Sequence, residues 1–158
     1  MGFEKGNVLE PSCGVGSFMG SMPESMKAAK VYGVELDEVS GEIAKKLYPE
    51  NNVQVKGFEE TTFSNNFFDV AIGNVPFGEF KVSDRAYNKH NFMIHDYFFA
   101  KSIDKVRSGG VIAFVTSSGT MDKKDDSIRR YIGARCGMVL EPISPSTVRC
   151  LKDRKSVV

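Results

Sequence analysis

Residues suited to chemistry follow short apolar runs in this 158-residue sequence. The first run leads into "LEPSCGVG", which places the carboxylate of Glu10 before a turn that contains Gly14 and Gly16. Glycines allow the backbone to turn sharply and to approach a ligand closely. Met19 stands where the dinucleotide fingerprint requires its third glycine, and an acid at the strand end would repel a pyrophosphate. The pattern instead suits a ligand with a positive group, with an ordinary strand–helix turn as the alternative.

The ammonium group of S-adenosylmethionine would meet this requirement, and two further acids suit other parts of that molecule. Glu35 ends the run "VYGVE" about 20 residues after Gly16, the spacing of acids that bind ribose hydroxyls. Glu59 follows Phe58, so a carboxylate could accept a hydrogen bond from adenine while an aromatic ring covers the base. The alternatives are a solvated strand end for Glu35 and a solvated loop for Glu59.

Strands and helices alternate along the part of the chain that must position these residues. Apolar or alternating runs predict strands at 7–11, 30–36, 52–57, 67–74 and 111–118. Helical spacing of apolar residues predicts helices at about 15–29, 37–49, 91–106 and 124–135, with "RSGG" as the turn after the third. Such alternation predicts an α/β fold, a mostly parallel sheet with helices on both faces. Ligands of such folds bind at the carboxyl ends of the strands, where the candidate residues lie.

The composition is that of an ordinary globular domain, with 41% hydrophobic and 26% charged residues. A net charge of +1 neither requires nor excludes a nucleic-acid partner. The chain has no apolar run long enough to span a bilayer, so no membrane association is expected. Its three widely spaced cysteines lack metal-ligand spacing, which predicts a reduced, cytoplasmic protein without a structural metal.

Three motifs carry a resemblance to a known family. In this order, "VLEPSCGVGSF", "VYGVELD" and "FDVAIGNVPFG" resemble the motifs of S-adenosylmethionine-dependent methyltransferases, and more narrowly of the gamma-type DNA adenine-N6 methyltransferases. "NVPFG", followed by "MIHDYFFAKSIDKVRSGGVIAFVTSSGTMD", is most similar to methylase domains of large helicase-methylase proteins from phages and conjugative elements. The resemblance covers about residues 7–135. It implies a Rossmann-like class I methyltransferase fold, DNA as a partner and further domains in a larger polypeptide.

The resemblance also implies a role for each matching residue. The methionine part of the cofactor would be held by Glu10, Pro11, Ser12, Cys13, Gly14 and Gly16. The ribose would be bound by Glu35 beside Leu36, and the adenine by Phe58 and Glu59. The catalytic segment would be Asn74, Val75, Pro76 and Phe77. In it, the Asn74 amide and the Val75 carbonyl would accept hydrogen bonds from the target amine, and Phe77 would stack on a flipped base.

Position 75 departs from the family, which usually has proline there. Val75 keeps the carbonyl but adds an N–H group and a less fixed φ, which predicts a less rigid loop.

The nearby segment 81–91 is polar and basic, which indicates either a mobile loop that contacts phosphates or a solvated loop. Similar motifs also serve methylation of cytosine N4, of a ribosomal RNA base or of a protein glutamine. A non-catalytic cofactor-binding module is the further alternative.

The expected domain organisation is an incomplete catalytic domain over 1–135 and an irregular tail over 136–158. The tail has two prolines, no sustained periodicity and a basic end, compatible with a segment foreign to the natural reading frame. With no room for a target-recognition domain after residue 135 and no helix before the first strand, we expect the isolated chain to have weak or no activity.

Overall fold

The computed structural model describes residues 3–116, 126–136 and 147–151. Its strands are β1 (Asn7–Glu10), β2 (Lys30–Glu35), β3 (Asn52–Val55), β4 (Phe68–Asn74), β5 (Val106–Val115) and β6 (Thr147–Leu151). They form one sheet in the order β3-β2-β1-β4-β5-β6, in which the first five strands are parallel and β6 is antiparallel to β5. The chain therefore moves outward from β1 to β3 and returns to β4 on the other side of β1. This reversal is where α/β sheets bind ligands.

The helices are α1 (Ser17–Gly20), α2 (Glu38–Leu47), α3 (Ile94–Lys105) and α4 (Ser127–Gly133). The α/β prediction is confirmed, but the helix expected at 15–29 is wrong in length. Only α1 and a 3₁₀ turn at Glu24–Met26 form there, because Gly20 and Pro23 interrupt the segment. The N-cap of α2 is Asp37, whose carboxylate accepts a hydrogen bond from the Ser40 N–H at 2.8 Å.

The fifth strand begins earlier than the sequence predicted. The "RSGG" segment at 107–110, expected as a turn after α3, lies inside β5. The register shifts there, because Phe68 pairs with Val106 while Val70 pairs with Val111. Gly109, with φ +78°, supplies a left-handed conformation that lets the strand bulge instead of ending. The predicted strand end at 117–118 and the helix start at 124–125 lie outside the described residues.

Part of the tail belongs to the sheet, which differs from the irregular tail expected over 136–158. Residues 147–151 form β6, with Val111 opposite Leu151 and Val115 opposite Thr147. Pairing with β5 satisfies backbone groups that a polar, proline-containing sequence gave no reason to place in a strand. The remainder of the tail, at 137–146 and 152–158, lies outside the described residues.

Two apolar layers cover the sheet. Adjacent residues of β1 point to opposite faces, so Leu9 joins the cluster under α3 and α4 while Val8 joins the one under α1 and α2. In the larger cluster Phe99 of α3 packs edge-on against Phe114 of β5, with ring centroids 5.1 Å apart. Phe98, Phe99 and Phe114 are buried, as expected for core residues. The rigid layer under α3 fixes the strand ends that carry the candidate site.

Within the described ranges, no helix is both long and apolar enough to cross a membrane. Nor do these residues contain a group of three or more His, Cys, Asp or Glu side chains arranged to hold a metal ion.

Candidate active site

The carboxyl ends of β1, β2 and β4 surround a cavity of about 450 Å³. It is lined by half of the predicted site residues: Pro11, Ser12, Glu35, Leu36, Phe58, Glu59 and Pro76. Its other walls come from Lys56, Gly57, Ile94, Phe98 and the segment 80–83. The predicted residues that do not line it are Glu10, Cys13, Gly14, Gly16, Asn74, Val75 and Phe77. The fold therefore brings the expected ribose-binding and adenine-binding residues into one cavity.

The glycine turn orients the Glu35 carboxylate. Gly14 and Gly16 adopt left-handed conformations, with φ +54° and +88°. The Gly14 N–H donates to one carboxylate oxygen of Glu35 at 2.7 Å, and the Asp37 N–H donates to the other at 2.8 Å. Each oxygen has a second lone pair, so both can still accept a hydrogen bond from a hydroxyl group.

Glu10 occupies a different environment. Its side chain is 2% exposed and lines a separate cavity of about 100 Å³ beside Phe18 and Met19. Burial, and to a smaller extent the nearby charge of Glu35, raise the pKa of its carboxyl to about 8, against the lowering effect of the Phe18 backbone hydrogen bond. Without a cation nearby, Glu10 is therefore largely protonated at neutral pH. Burial, together with the charges of Glu10 and Glu35, also raises the pKa of the Cys13 thiol to about 12, which argues against a nucleophilic role.

The segment 74–77 leaves the sheet beside the cavity. Asn74 is exposed, and its backbone carbonyl accepts a hydrogen bond from the Ser12 hydroxyl at 2.7 Å. The Phe77 ring is 64% exposed. An amide and an aromatic face are thus presented to solvent next to Pro76, which lines the cavity.

Val75 is anchored, contrary to the less rigid loop predicted from the missing proline. Its side chain is fully buried, and its N–H donates to the carbonyl of Val115 at 3.1 Å. Proline could not make this bond, which extends the pairing of β4 with β5 by one residue. The N–H group expected to loosen the loop therefore fastens it to the sheet.

The segment 80–91 contributes site residues that the sequence prediction missed. Phe80, Lys81, Val82 and Ser83 line the cavity. Tyr87, expected in a solvated or phosphate-binding loop, is buried, and its hydroxyl donates to Asp104 of α3 at 2.9 Å. The only indication in the sequence that part of this segment is buried was one aromatic residue, Tyr87, within an otherwise polar run.

The cavity suits a purine nucleoside. Its carboxylates, Glu35 and Glu59, can accept hydrogen bonds from ribose hydroxyls and from an exocyclic amine. Leu36, Phe58 and Phe98 provide apolar surfaces for a planar ring. The residues present therefore fit the adenosine part of S-adenosylmethionine.

Sequence relatives include methylases from viruses and an animal. The chain is 35% identical over 119 residues to the defense against restriction protein B of Escherichia phage P1, covering 72% of this chain and 5% of that protein. It is 27% identical over 116 residues to the modification methylase CviBIII of Paramecium bursaria Chlorella virus NC1A, covering 71% of this chain and 31% of that one. It is 24% identical over 164 residues to the rRNA N(6)-adenosine-methyltransferase metl-5 of Caenorhabditis elegans, covering 98% of this chain and 72% of that protein. The chain thus spans less than a third of the two viral relatives.

The fold is that of class I methyltransferases. A Listeria monocytogenes protein assigned to the class I S-adenosylmethionine-dependent methyltransferases superposes with a TM-score of 0.77 at 14% identity, over 98% of this chain and 56% of that one. S-adenosylmethionine is accordingly the expected cofactor. The family model of the Eco57I restriction-modification methylase matches residues 45–137, which is more than half of the chain. The protein therefore belongs to the Eco57I restriction-modification methylase family.

Proposed function

We propose that this protein transfers a methyl group from S-adenosylmethionine to the exocyclic N6 of adenine in DNA. The observation that carries the proposal is the hydrogen bond of 2.7 Å from the Ser12 hydroxyl to the backbone carbonyl of Asn74, which joins the glycine turn to the end of β4, where Asn74 is exposed. One cavity wall and one candidate catalytic group are thereby held together. Membership of a restriction-modification methylase family supports DNA as the substrate.

The cofactor supplies an electrophilic methyl group on a sulfonium. In the proposal, Glu35 binds the ribose hydroxyls, with Leu36 packing alongside, while Phe58 and Glu59 contact the adenine ring and its amino group. Glu10 and the turn from Pro11 to Gly16 hold the methionine part, and the positive charge of the ligand favours the ionised form of Glu10.

The target amine is a poor nucleophile, because its lone pair is delocalised into the purine ring. Acceptance of its two hydrogens by the Asn74 amide oxygen and the Val75 carbonyl favours a pyramidal nitrogen with a directed lone pair. The same acceptors stabilise positive charge that develops on nitrogen during transfer. Phe77 stacks on the extruded base and offsets lost base stacking, which is worth ~1–3 kcal/mol per base. Positioning then supplies most of the acceleration.

The test is transfer of a labelled methyl group to double-stranded DNA, followed by nucleoside analysis. We expect label in N6-methyladenine, and loss of at least about a hundredfold in rate for Asn74→Ala with cofactor affinity unchanged. Label in cytosine, or cofactor binding lost in parallel with activity, would contradict the proposal.

A second candidate substrate is adenine in ribosomal RNA. It is favoured by the similarity to the rRNA N(6)-adenosine-methyltransferase of Caenorhabditis elegans, which spans nearly all of this chain. The same assay with ribosomal RNA as acceptor distinguishes the two, because the label would appear in N6-methyladenosine and not in the deoxynucleoside.

The 5% and 31% coverage of the viral relatives supports a catalytic unit that works within a longer polypeptide. In this proposal residues 1–135 contain the cofactor-binding and catalytic residues, and other domains select the DNA sequence. The assay should therefore compare this chain with longer polypeptides that contain it, and we expect the longer polypeptides to be more active.

A further inference from the structure

Lys101 of α3 is a buried cation that no step of the proposed chemistry uses. Its side chain is 3% exposed, and its ammonium group donates to an Asp84 carboxylate oxygen at 3.0 Å. It also donates to the backbone carbonyl of Glu59 at 3.3 Å. The ammonium lies 5.0 Å from the centroid of the Phe58 ring, within cation–π range. One side chain therefore contacts two segments that are distant in sequence.

These two segments both contribute to the walls of the 450 Å³ cavity. Phe58 and Glu59 line it from the loop after β3, and Val82 and Ser83 line it from the segment that leads into Asp84. Lys101 itself does not line the cavity. Its contacts with Glu59 and Asp84 therefore link the two walls from outside the cavity.

Asp84 is well fixed as the partner of Lys101. The carboxylate oxygen that accepts from Lys101 also accepts from the Tyr97 hydroxyl at 2.8 Å, and the other oxygen accepts from the Ala86 N–H at 3.0 Å. Partial burial opposes ionisation of Asp84, but the hydrogen bonds from Lys101, Tyr97 and Ala86, together with the charge of Lys101, lower its pKa overall. Asp84 is therefore ionised at neutral pH. Removing one partner would leave the other charge buried.

We infer that Lys101 is a positioning residue for the cofactor: with Asp84 and Tyr97 it fixes the distance between the Phe58–Glu59 wall and the Val82–Ser83 wall of the adenosine cavity. The inference rests on the proposed cofactor site. It assigns a binding function to three residues that touch neither the cavity nor the reacting atoms. Because segment 80–84 follows the catalytic residues 74–77 along the chain, the same contacts also tie the catalytic loop to the cofactor cavity.

The experiment measures the dissociation constants of S-adenosylhomocysteine and of 5′-methylthioadenosine by calorimetry, using the full chain. Lys101→Met should weaken both ligands by roughly tenfold, the value of one hydrogen bond to a charged group. The loss of affinity should be equal for the two ligands, because the contacts of Lys101 support the adenosine end that both ligands share. The double variant Asp84→Asn with Lys101→Met removes both charges, leaves no buried unpaired ion, and should bind as weakly.

A matched pair of hydroxyl deletions separates positioning from general stability. Tyr97→Phe removes the 2.8 Å hydrogen bond to Asp84, and Tyr131→Phe removes a 2.8 Å hydrogen bond to Asp104 that lies outside the cavity walls. Both should lower the unfolding midpoint, but only Tyr97→Phe should raise the dissociation constants. Wild-type affinity in a folded double variant and in Tyr97→Phe would overturn the inference while leaving the cofactor site intact. A wild-type chain that binds neither ligand would instead overturn the cofactor site itself, and the inference with it.

Discussion

Glu10 is an acid that the fold buries at a cost to the stability of the ligand-free protein. It lies at the end of β1 and is almost fully buried. Burial disfavours the ionised form of this carboxyl group, and this is the main cause of its raised pKa.

The stability of the ligand-free protein should fall with rising pH because of Glu10. The carboxyl titrates near its ordinary value of 4.5 in the unfolded chain and near 8 in the folded one. Below about pH 4.5 both states are protonated. Between these values the unfolded state loses its proton first, and the free energy of unfolding declines by a few kcal/mol. The free energy of unfolding of the Glu10→Gln variant should change less with pH over this range, as measured by urea unfolding at a series of pH values. Parallel curves for the two proteins would show that the carboxyl is not the cause.

Val75 shows a departure from a family pattern that the tertiary structure compensates. The sequence predicts a looser loop, since valine lacks the fixed φ of proline. The neighbouring strand decides otherwise, because the Val115 carbonyl accepts the additional N–H. The Val75 carbonyl, which is the proposed acceptor for the target amine, therefore belongs to a residue that is hydrogen-bonded to the sheet.

Among the elements, the glycine turn between β1 and α1 contains two glycines with different steric surroundings. An added Cβ at Gly16 would lie 2.5 Å from the Tyr48 ring, whereas one at Gly14 would meet nothing within 4 Å. Both positions have a positive φ, so both oppose a side chain, but only Gly16 lies against the ring that follows α2.

Alanine substitutions should separate strain from packing in this turn. Gly14→Ala should cost about 1–2 kcal/mol, the strain of a left-handed residue with a Cβ. Gly16→Ala should cost at least about twice that, because the Tyr48 ring must also move, and should weaken S-adenosylhomocysteine binding. Urea unfolding and calorimetry provide both readouts. Equal costs at the two positions would show that the Tyr48 contact has no role in holding the turn.

At the scale of the whole molecule, β6 extends the sheet beyond the part of the chain that the family model matches. The match to the family model ends at residue 137, yet Thr147–Leu151 pairs with β5 along five register positions. Without β6, β5 would present a long apolar edge with unpaired backbone groups, and such an edge promotes association between chains.

Removal of residues 137–158 should therefore lower the unfolding midpoint and promote aggregation, measured by thermal unfolding and light scattering. A chain that ends at Leu151 keeps β6 and serves as the control, and we expect its midpoint to lie closer to that of the full chain. If the shorter chain were equally stable and monomeric, β6 would be an accessory to the sheet and not its protected edge.

The sequence by itself determined the parallel α/β fold and the residues at the strand ends. Alternating strands and helices leave few topologies, and the strand-end motifs are local: Glu35 and Pro11 reach one cavity because parallel strands end at the same edge. Only the tertiary structure decided what lies behind that cavity. The contacts of Lys101 with Asp84 and Glu59 join residues 17 and 42 positions away along the chain, and no local pattern encodes them. Local periodicity predicts elements, whereas partners of buried polar groups are chosen by packing between elements.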